Sequence, residues 1–309
     1  MFTKLASYAA DMLCGEVVDE SVNLPLEEAR EKCRKGNPFP LVAMQFPEFV
    51  IPQEHPHYEI FKENLRTVDD QLISDSMKAV ILDPSNPVLR ADWWQQILWA
   101  AAFDPAIGEI ALAGGTSTGK GFASALAVNL WYDVYSETRI YISGPNEQKC
   151  IDNVFGEIIH WRDRQTSPSP SEVNSKSIYT DRRHYISVLN PDLADQKAAE
   201  KFSGAHGANT LYLFDEATVF PNAWVENARR NARLIWAVAN PRSLSGWFRD
   251  LFKSKGYDDA RPVQVVPGNL RMRLCMQIGG SHCINVKMNR LRAPIAPKGG
   301  IVIDGKLHP

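Results

Sequence analysis

The spacing of apolar and polar residues changes near residue 108 of the chain. From there on, short runs that are apolar throughout alternate with longer helical or looped segments. We predict strands at residues 109–114, 139–144, 184–189, 210–215 and 234–239. Strands that are apolar on both faces are typical of a parallel sheet that helices cover on both sides. The pattern therefore predicts an α/β fold with a doubly wound, mainly parallel sheet.

The residues before the first predicted strand follow a less regular pattern. Residues 24–35 predict a short helix with charges on its open face, and residues 57–81 and 91–103 show helical spacing. Residues 37–57 carry prolines at a density that favours extended chain wrapping the surface. Between the second and third predicted strands, residues 164–177 are rich in Ser and Pro and predict a solvent-facing loop.

Composition favours a globular protein outside the membrane. No apolar run reaches the roughly 18 residues that a membrane-spanning helix needs, and residues 1–20 place carboxylates where a secretory signal has a long apolar stretch. We therefore expect a cytoplasmic location. The five cysteines include no C-x-x-C pair, and Cys275, His282 and Cys283 are too few for the four ligands of a structural zinc site. We expect buried thiols there.

Charge is distributed unevenly, although the formal net charge is only -2. Residues 1–100 contain 16 acidic and 9 basic side chains, whereas residues 261–309 contain 8 basic side chains and a single acidic one, Asp304. This asymmetry predicts a basic face for a polyanion at the C-terminal end. A solvated basic surface without a partner is the alternative, because charge runs are common on protein surfaces.

The segment GGTSTGKG at residues 114–121 is the first candidate for chemistry. It departs from the phosphate-binding pattern G-x-x-x-x-G-K-[ST] only at its last position, and it joins a predicted strand to the best predicted helix, residues 121–135. Backbone N–H groups of such a loop point at phosphates, and Lys120 would reach the β and γ oxygens. The predicted nucleotide-binding loop residues are Gly114, Gly115, Thr116, Ser117, Thr118, Gly119, Lys120 and Gly121.

A second motif, LYLFDEA, ends the strand predicted at residues 210–215. A carboxylate at the C-terminal end of such a strand lies beside the phosphate loop of an open α/β sheet. We predict that Asp215 holds Mg²⁺ through its water shell, and that Glu216 orients and polarises the water that attacks the γ-phosphate. A pair of helix-capping carboxylates is the alternative.

Together, GGTSTGKG, FSGAHGANTLYLFDEATVFPNAW and the later AVANPRSLSGWFRDLF resemble the ATPase domain of the large terminase subunit, the motor that packs DNA into tailed-phage heads. The resemblance covers residues 92–252 and extends loosely into the basic tail. It implies a RecA-like P-loop NTPase fold of the ASCE class, with ATP and Mg²⁺ as cofactors. It also implies that Lys120, Asp215 and Glu216 are the catalytic residues.

The resemblance assigns roles to residues outside these two motifs. Asn240 and Gly246 belong to an N-P…G-x-F segment of the family and would couple loss of the γ-phosphate to DNA movement. Trp94 and Gln95 would meet the adenine, since the family places an aromatic residue and a glutamine there. Core packing of the helix is the alternative for the tryptophan.

Three parts of the chain follow from these assignments. Residues 91–255 would form the P-loop ATPase core. Residues 1–90 would form an N-terminal arm or helical subdomain, and residues 256–309 a basic C-terminal extension, lid or linker. Because Asp304 is the single acidic residue after position 260, no two-metal carboxylate cluster can form there, and we expect no nuclease domain or nuclease activity in this chain.

Two catalytic features of the family are not matched directly. Gly121 replaces the Ser or Thr whose hydroxyl normally contacts Mg²⁺, so a water or another hydroxyl of the loop region would have to substitute. The substitutes are Thr116, Ser117, Thr118 and Ser124. The arginine that would stabilise the transferring phosphoryl group is not identified. The candidates are Arg229, Arg230, Arg233 and Arg242.

The sequence therefore predicts an ATP-hydrolysing motor domain of a DNA-packaging terminase, which moves double-stranded DNA into a procapsid in the host cytoplasm. The partners implied are the portal protein, the small terminase subunit, DNA and copies of the chain in a ring. One alternative is a P-loop DNA helicase or remodelling ATPase. Another is a nucleotide-binding DNA or scaffold module that lacks turnover because of Gly121.

Overall fold

The computed structural model describes residues 24–190, 207–241, 245–253, 261–279 and 282, together with the backbone of residues 301–303 and 306–308. The α-helices are α1 (Leu26–Arg34), α2 (Phe39–Gln45), α3 (Tyr58–Arg66), α4 (Asp75–Ile81), α5 (Trp93–Phe103), α6 (Lys120–Val134), α7 (Glu147–Lys149), α8 (Gly156–Arg162), α9 (Asn222–Asn231) and α10 (Trp247–Leu251). The strands are β1 (Ile107–Gly114), β2 (Thr138–Ser143), β3 (Glu172–Asn174), β4 (Ser177–Asp181), β5 (His184–Val188), β6 (Asn209–Asp215), β7 (Leu234–Ala239), β8 (Val263–Pro267), β9 (Met272–Ile278), β10 (Ile301–Ile303) and β11 (Lys306–His308).

A nine-stranded sheet forms the centre of the fold, in the order β3-β4-β5-β2-β6-β7-β1-β9-β8. The strands from β5 to β9 in this order are parallel, and antiparallel strands close both ends. The five predicted strands are all present. β7 lies between β1, which ends at the glycine-rich loop, and β6, which ends at Asp215. The predicted α/β P-loop NTPase fold is confirmed by this topology.

Helices cover both faces of the sheet and bury it almost continuously. The larger core cluster joins one face to α1, α2, α4, α5, α6 and α8, and the smaller cluster joins the other face to α9 and α10. All eleven residues of α5 are buried, as expected for a helix that is apolar all round. Its Trp99 donates from Nε1 to the carbonyl oxygen of Ala123, 3.1 Å away on α6. This hydrogen bond joins α5 to α6, the helix that follows the glycine-rich loop.

The interpretation of residues 37–57 as extended, surface-wrapping chain is wrong. Phe39–Gln45 form α2, whose side chains are buried apart from Met44. Pro38 precedes this helix and Pro40 lies in its first turn, where a missing N–H costs no hydrogen bond. Proline density therefore marks the starts of short helices that enter the main core. Whether the first 90 residues form a separate subdomain stays a prediction.

The interpretation of residues 164–177 as a solvent-facing loop is also wrong in part. β3 and the start of β4 form an antiparallel hairpin within it. The segment before them is anchored on the buried carboxylate of Asp133, which accepts hydrogen bonds from Gln165 Nε2 (2.6 Å) and from the backbone N–H of Ser169 (3.0 Å). Serine and proline composition cannot show such an anchor, because the partner lies 36 residues away in the sequence.

Candidate functional site

The glycine-rich loop connects β1 to α6 in a conformation that needs glycine. Gly119 has a φ of 95°, in the left-handed region, and Ser117 has a φ of 60°. Residues 115–117 are exposed, whereas Thr118 is buried and donates from its hydroxyl to the carbonyl oxygen of Gly115 at 3.1 Å. The loop is thus pinned from inside and open to solvent outside, directly before the N-terminus of α6. This is the arrangement in which backbone amides bind phosphate.

The Lys120 ammonium group lies within the loop. Its Nζ donates to the carbonyl oxygens of Gly114 (2.9 Å) and Gly115 (2.6 Å) and to Oδ1 of Asn240 (3.1 Å). Loop, lysine and the end of β7 therefore meet at one point. Lys120 and Asn240 are separated by 120 residues in the sequence, and the sheet brings them together because β7 is the direct neighbour of β1.

Asp215 ends β6 beside the loop. Burial and the negative charge of Glu216 raise the pKa of Asp215 to about 6, while the N–H of Glu216 and the charge of Lys120 act in the opposite direction. The carboxylate is therefore ionised above pH 6 and is held in a poorly solvated position. A cation at this point would be strongly attracted to it.

Glu216 follows with an unusual backbone conformation. Its φ of 51° and ψ of 48° lie in the left-handed region, which is unfavourable for a residue that carries a side chain. The Glu216 carboxylate accepts a hydrogen bond at Oε1 from Nδ2 of Asn240, at 3.2 Å. The strand end and the amide together fix where this carboxylate points.

The structure thus brings Lys120, Asp215, Glu216 and Asn240 together at the carboxyl edge of the parallel strands. The sequence predicted a coupling role for Asn240 from its motif. It did not predict that one amide would contact both the loop lysine and the glutamate. That double contact depends on the strand order, which no local pattern encodes.

Gly121 faces open space. It is exposed, and a Cβ atom built on it would meet no atom within 4 Å. Of the hydroxyls proposed as substitutes, Ser124 is buried and its Oγ accepts a hydrogen bond from Trp236 Nε1 at 2.9 Å, so it faces the core. Thr118 is engaged within the loop. Thr116 and Ser117 are exposed, so of the four substitutes these two remain candidates for replacing the missing hydroxyl.

Gln95 and Trp94 lie differently with respect to the loop. A Cβ on Gly119 would lie 2.9 Å from Nε2 of Gln95, so the Gln95 amide touches the loop. Its Oε1 accepts from the backbone N–H of Asp92 at 3.0 Å, which closes the start of α5. Trp94 is fully buried in the main core. Packing accounts for this ring, and its contact with adenine stays a prediction.

Gly246 lies at the start of α10, with a φ of 105° that again favours glycine. The next residue, Trp247, packs edge-on against Phe214 of β6, with ring centroids 6.3 Å apart. α10 is therefore tied to the strand that carries Asp215. The coupling role of Gly246 stays a prediction.

Arg229 and Arg233, two candidates for the phosphoryl-stabilising arginine, lie at the wrong edge of the sheet. Arg229 pairs with the buried carboxylate of Glu109, near the start of β1, and Arg233 donates to the carbonyl oxygens of Ile107 and Asp104. These contacts lie at or before the start of β1, whereas the loop follows its end. Arg242 lies outside the described residues. An arginine for the phosphoryl group is therefore not supplied by Arg229 or Arg233 of the same chain.

The Glu109 cluster itself was not predicted. Glu109 also accepts from Nε of Arg273 on β9 at 2.7 Å, and both side chains are less than one-tenth exposed. The charge of Arg273 among apolar neighbours hid β9 from the strand prediction. A polar residue at an inward-facing strand position is the signal that could have shown a buried ion pair.

The cysteines were expected to be buried thiols and not zinc ligands. Cys33, Cys150 and Cys275 are buried with free thiols, and burial raises the pKa of the Cys275 thiol to about 12. Cys283 lies outside the described residues. Within the described part of the chain, no helix is both long and apolar enough to cross a bilayer.

No protein-family model matches the chain, and no curated protein matches it. Solved structures do. The large terminase of a thermophilic bacteriophage superposes with a TM-score of 0.41 at 15% identity, over 65% of this chain and 48% of the terminase. The ADP complex of that terminase superposes with a TM-score of 0.43 at 16% identity, over 64% of this chain and 48% of the terminase. The Thermus phage P74-26 large terminase ATPase domain superposes with a TM-score of 0.40 at 14% identity. The match covers 60% of this chain and 79% of that domain.

These solved structures are large terminases of phages, and this chain spans about half the length of the first of them. The fold of the chain itself follows from its own strand order and from the loop between β1 and α6.

Proposed function

We propose that this chain is the ATP-hydrolysing motor domain of a DNA-packaging terminase, which moves double-stranded DNA into a procapsid. One observation carries the ATPase part: the Asn240 amide contacts both Lys120 of the phosphate loop and Glu216 after the adjacent strand. The terminase part is supported by the motifs within residues 92–252.

Phosphate binding would begin at the loop. Thr116 and Ser117 of the loop and Gly121 at the start of α6 are exposed, and the positive end of the helix favours an anion there. Lys120 donates to two neutral carbonyl oxygens. Charged phosphate oxygens are stronger acceptors, so the ammonium group would exchange these carbonyls for the nucleotide.

The residues at the end of β6 fit a Mg²⁺ ion. Asp215 is a partly buried carboxylate beside the loop, and one or two carboxylates, phosphate oxygens and waters are the ligands that Mg²⁺ takes in nucleotide sites. When bound, the ion neutralises charge that develops on the phosphates. Asp215 would hold it, with water in place of the hydroxyl that Gly121 lacks.

Glu216 would position the attacking water. Its carboxylate is restrained by Asn240, which also contacts Lys120 of the loop. A shift of Lys120 toward phosphate would release one of the two contacts of Asn240. The orientation of Glu216, and with it hydrolysis, would thus depend on the phosphate that Lys120 binds.

A nucleotide-binding module without turnover is the second candidate. Gly121 offers no hydroxyl, and Ser124 accepts its hydrogen bond from Trp236 in the core. If water cannot replace the missing ligand, the loop would retain nucleotide without hydrolysing it.

Phosphate release from ATP tests the proposal. We expect turnover by the wild-type protein that rises with protein concentration or with duplex DNA, and a loss of at least about 100-fold in Glu216→Gln. The matched control is Glu63→Gln, an exposed position on α3, with unchanged turnover. Tight ATP binding without turnover under every condition would favour the second candidate.

The portal protein, the small terminase subunit and copies of this chain in a ring are the proposed partners. A helicase predicts strand separation of a forked duplex, whereas a packaging motor predicts nuclease protection of duplex DNA inside portal-bearing procapsids. Measuring both on one preparation separates the two motors.

A further inference from the structure

Arginines line the edge of the sheet opposite the glycine-rich loop. The loop follows the carboxyl end of β1, so the amino ends of the parallel strands form the far edge. We call the arginines at or next to these ends the arginine edge. In sheet order from β5 to β9 they are Arg182, Arg183, Arg139, Arg230, Arg233 and Arg271.

Several members of the arginine edge form no ion pair within the described residues, although the Asp104 charge acts on Arg233 from a greater distance. Arg183 pairs with the exposed carboxylate of Glu137 at 3.3 Å. In the part of the chain that the structure describes, no carboxylate lies within ion-pair distance of four other members. These are Arg182, Arg230, Arg233 and Arg271.

Two members repel each other beside a cavity. Arg271 donates to the carbonyl oxygen of Arg233 at 3.0 Å, and the pKa of Arg233 is lowered by burial and by the positive charge of Arg271. Both side chains line a cavity of about 100 Å³, together with Arg229 and the Glu109 carboxylate that pairs with it. The buried Nε of Arg229 has no hydrogen-bond partner among the described residues. A phosphate placed against Arg233 and Arg271 would relieve the repulsion between these two charges.

A second polar cavity, of about 250 Å³, lies further along the same edge. Its lining includes Arg139, Arg183 and Glu137. Neighbouring strands are roughly 4.8 Å apart, so the edge from β5 to β9 spans about 24 Å. One strand of a duplex carries a phosphate every ~3.4 Å along its axis, so this length corresponds to about seven base-pair steps, of which part of the phosphates face one side. A repeating polyanion fits the edge better than a single small anion.

We propose that the arginine edge binds the phosphate backbone of duplex DNA. The inference rests on the proposed function insofar as double-stranded DNA is the substrate. It places the DNA at the edge of the sheet opposite the nucleotide. β7 runs without interruption from Leu234 to Ala239, between Arg233 and Asn240. A single buried strand therefore joins the DNA-contacting edge to the residue that contacts Lys120 and Glu216.

Binding of a labelled duplex of about 30 base pairs, followed by fluorescence anisotropy over a range of salt concentrations, tests this surface. The test variant is Arg230→Gln/Arg271→Gln, because both positions are exposed. Each lost phosphate contact lowers the slope of log K against log salt by about 1. We expect the slope to fall by about 2 and affinity to fall by roughly 10-fold or more at moderate salt.

The matched control is Arg66→Gln/Arg249→Gln, which removes two exposed arginines on α3 and α10 that are not members of the arginine edge. The control should retain the wild-type slope. Equal slopes for wild type and Arg230→Gln/Arg271→Gln would overturn the proposal and leave the edge to an acidic protein partner. Failure of the wild type to bind duplex would overturn it as well.

ATP hydrolysis without DNA, measured on the same preparations, keeps the two proposals separate. The edge variant should hydrolyse ATP like the wild type, because neither residue lies near the loop. If the wild type does not hydrolyse ATP, the proposed motor function is contradicted. The arginine edge is not, because the salt dependence of DNA binding is measured in a separate experiment.

Discussion

The Asn240 side chain donates from Nδ2 to Oε1 of Glu216 across 3.2 Å, so the predicted water-positioning carboxylate is held by the end of the neighbouring strand. The same amide accepts from Lys120 at 3.1 Å. A change at the lysine therefore reaches the glutamate through one side chain.

Replacing Asn240 by Ala would remove the side chain that connects Lys120 to Glu216. We expect ATP turnover to fall by about 10- to 100-fold, because Glu216 loses its restraint, with the nucleotide dissociation constant changed by less than about 3-fold. Asn240→Asp should be as slow, since a carboxylate would pair with Lys120 and repel Glu216. Turnover and fluorescent-nucleotide binding measure the two effects separately. Equal losses of nucleotide binding and turnover in both variants would contradict the inference that Asn240 acts by restraining Glu216.

Gly121→Ser would restore the missing hydroxyl. A Cβ at this position meets nothing within 4 Å, so the side chain fits without rearrangement. We expect half-maximal turnover at about 3- to 10-fold lower Mg²⁺ concentration, about 1 kcal/mol of added binding. Gly121→Ala is the control, since it makes the same backbone change without the hydroxyl. Identical Mg²⁺ dependence in the Ser and Ala variants would show that water already replaces this ligand.

Asp215→Asn should stabilise the protein in a pH-dependent way. The pKa of Asp215 is raised from 3.8 to about 6, so the folded state binds this proton more tightly than the unfolded state. The cost of the buried charge is absent below about pH 4 and is fully present above about pH 6, since these are the two pKa values. At 1.36 kcal/mol per pKa unit, the stabilisation should grow from about 1 kcal/mol near pH 4.5 to at most about 3 kcal/mol near pH 8.

Urea unfolding of wild type and Asp215→Asn at several pH values measures this difference. Asp163→Asn, at an exposed position, is the control and should show no such trend. A difference that is constant with pH would mean that the Asp215 carboxyl titrates near its ordinary value.

Glu109→Gln should destabilise the fold. Glu109 is less than one-tenth exposed and pairs with both Arg229 and Arg273. Its neutralisation would leave buried guanidinium charge uncompensated, and we expect a loss of about 3 kcal/mol. Glu137→Gln removes an exposed partner of Arg183 and should change the free energy of unfolding by less than about 0.5 kcal/mol. Similar unfolding midpoints for the two variants would contradict the prediction.

The sequence predicted those parts of the fold whose signal is local. The five predicted strands, the loop and α6 are encoded by continuous apolar runs and by a glycine motif. β9 was missed because Arg273 and Gln277 interrupt its apolar run, although Arg273 is buried against Glu109. α2 was missed because Pro38 and Pro40 were interpreted as helix breakers, whereas they lie at a helix start.

The sequence predicted which residues form the candidate site. It did not predict how their side chains contact one another. The motifs identified Lys120, Asp215, Glu216 and Asn240. Only the order of β1, β7 and β6 places the Asn240 amide between the lysine and the glutamate. The burial of Ser124 was equally invisible, because it depends on Trp236, 112 residues away.

The ends of the sheet have a consequence for self-association. β3 is only three residues long, and at the other end β8 is covered by the segment around Leu72, where Val265 donates to the Leu72 carbonyl oxygen at 3.1 Å. Short or covered outer strands give another chain little backbone to extend. Contacts between copies in the proposed ring would therefore be made by side chains and loops, and the separation of two neighbouring subunits would break no shared sheet.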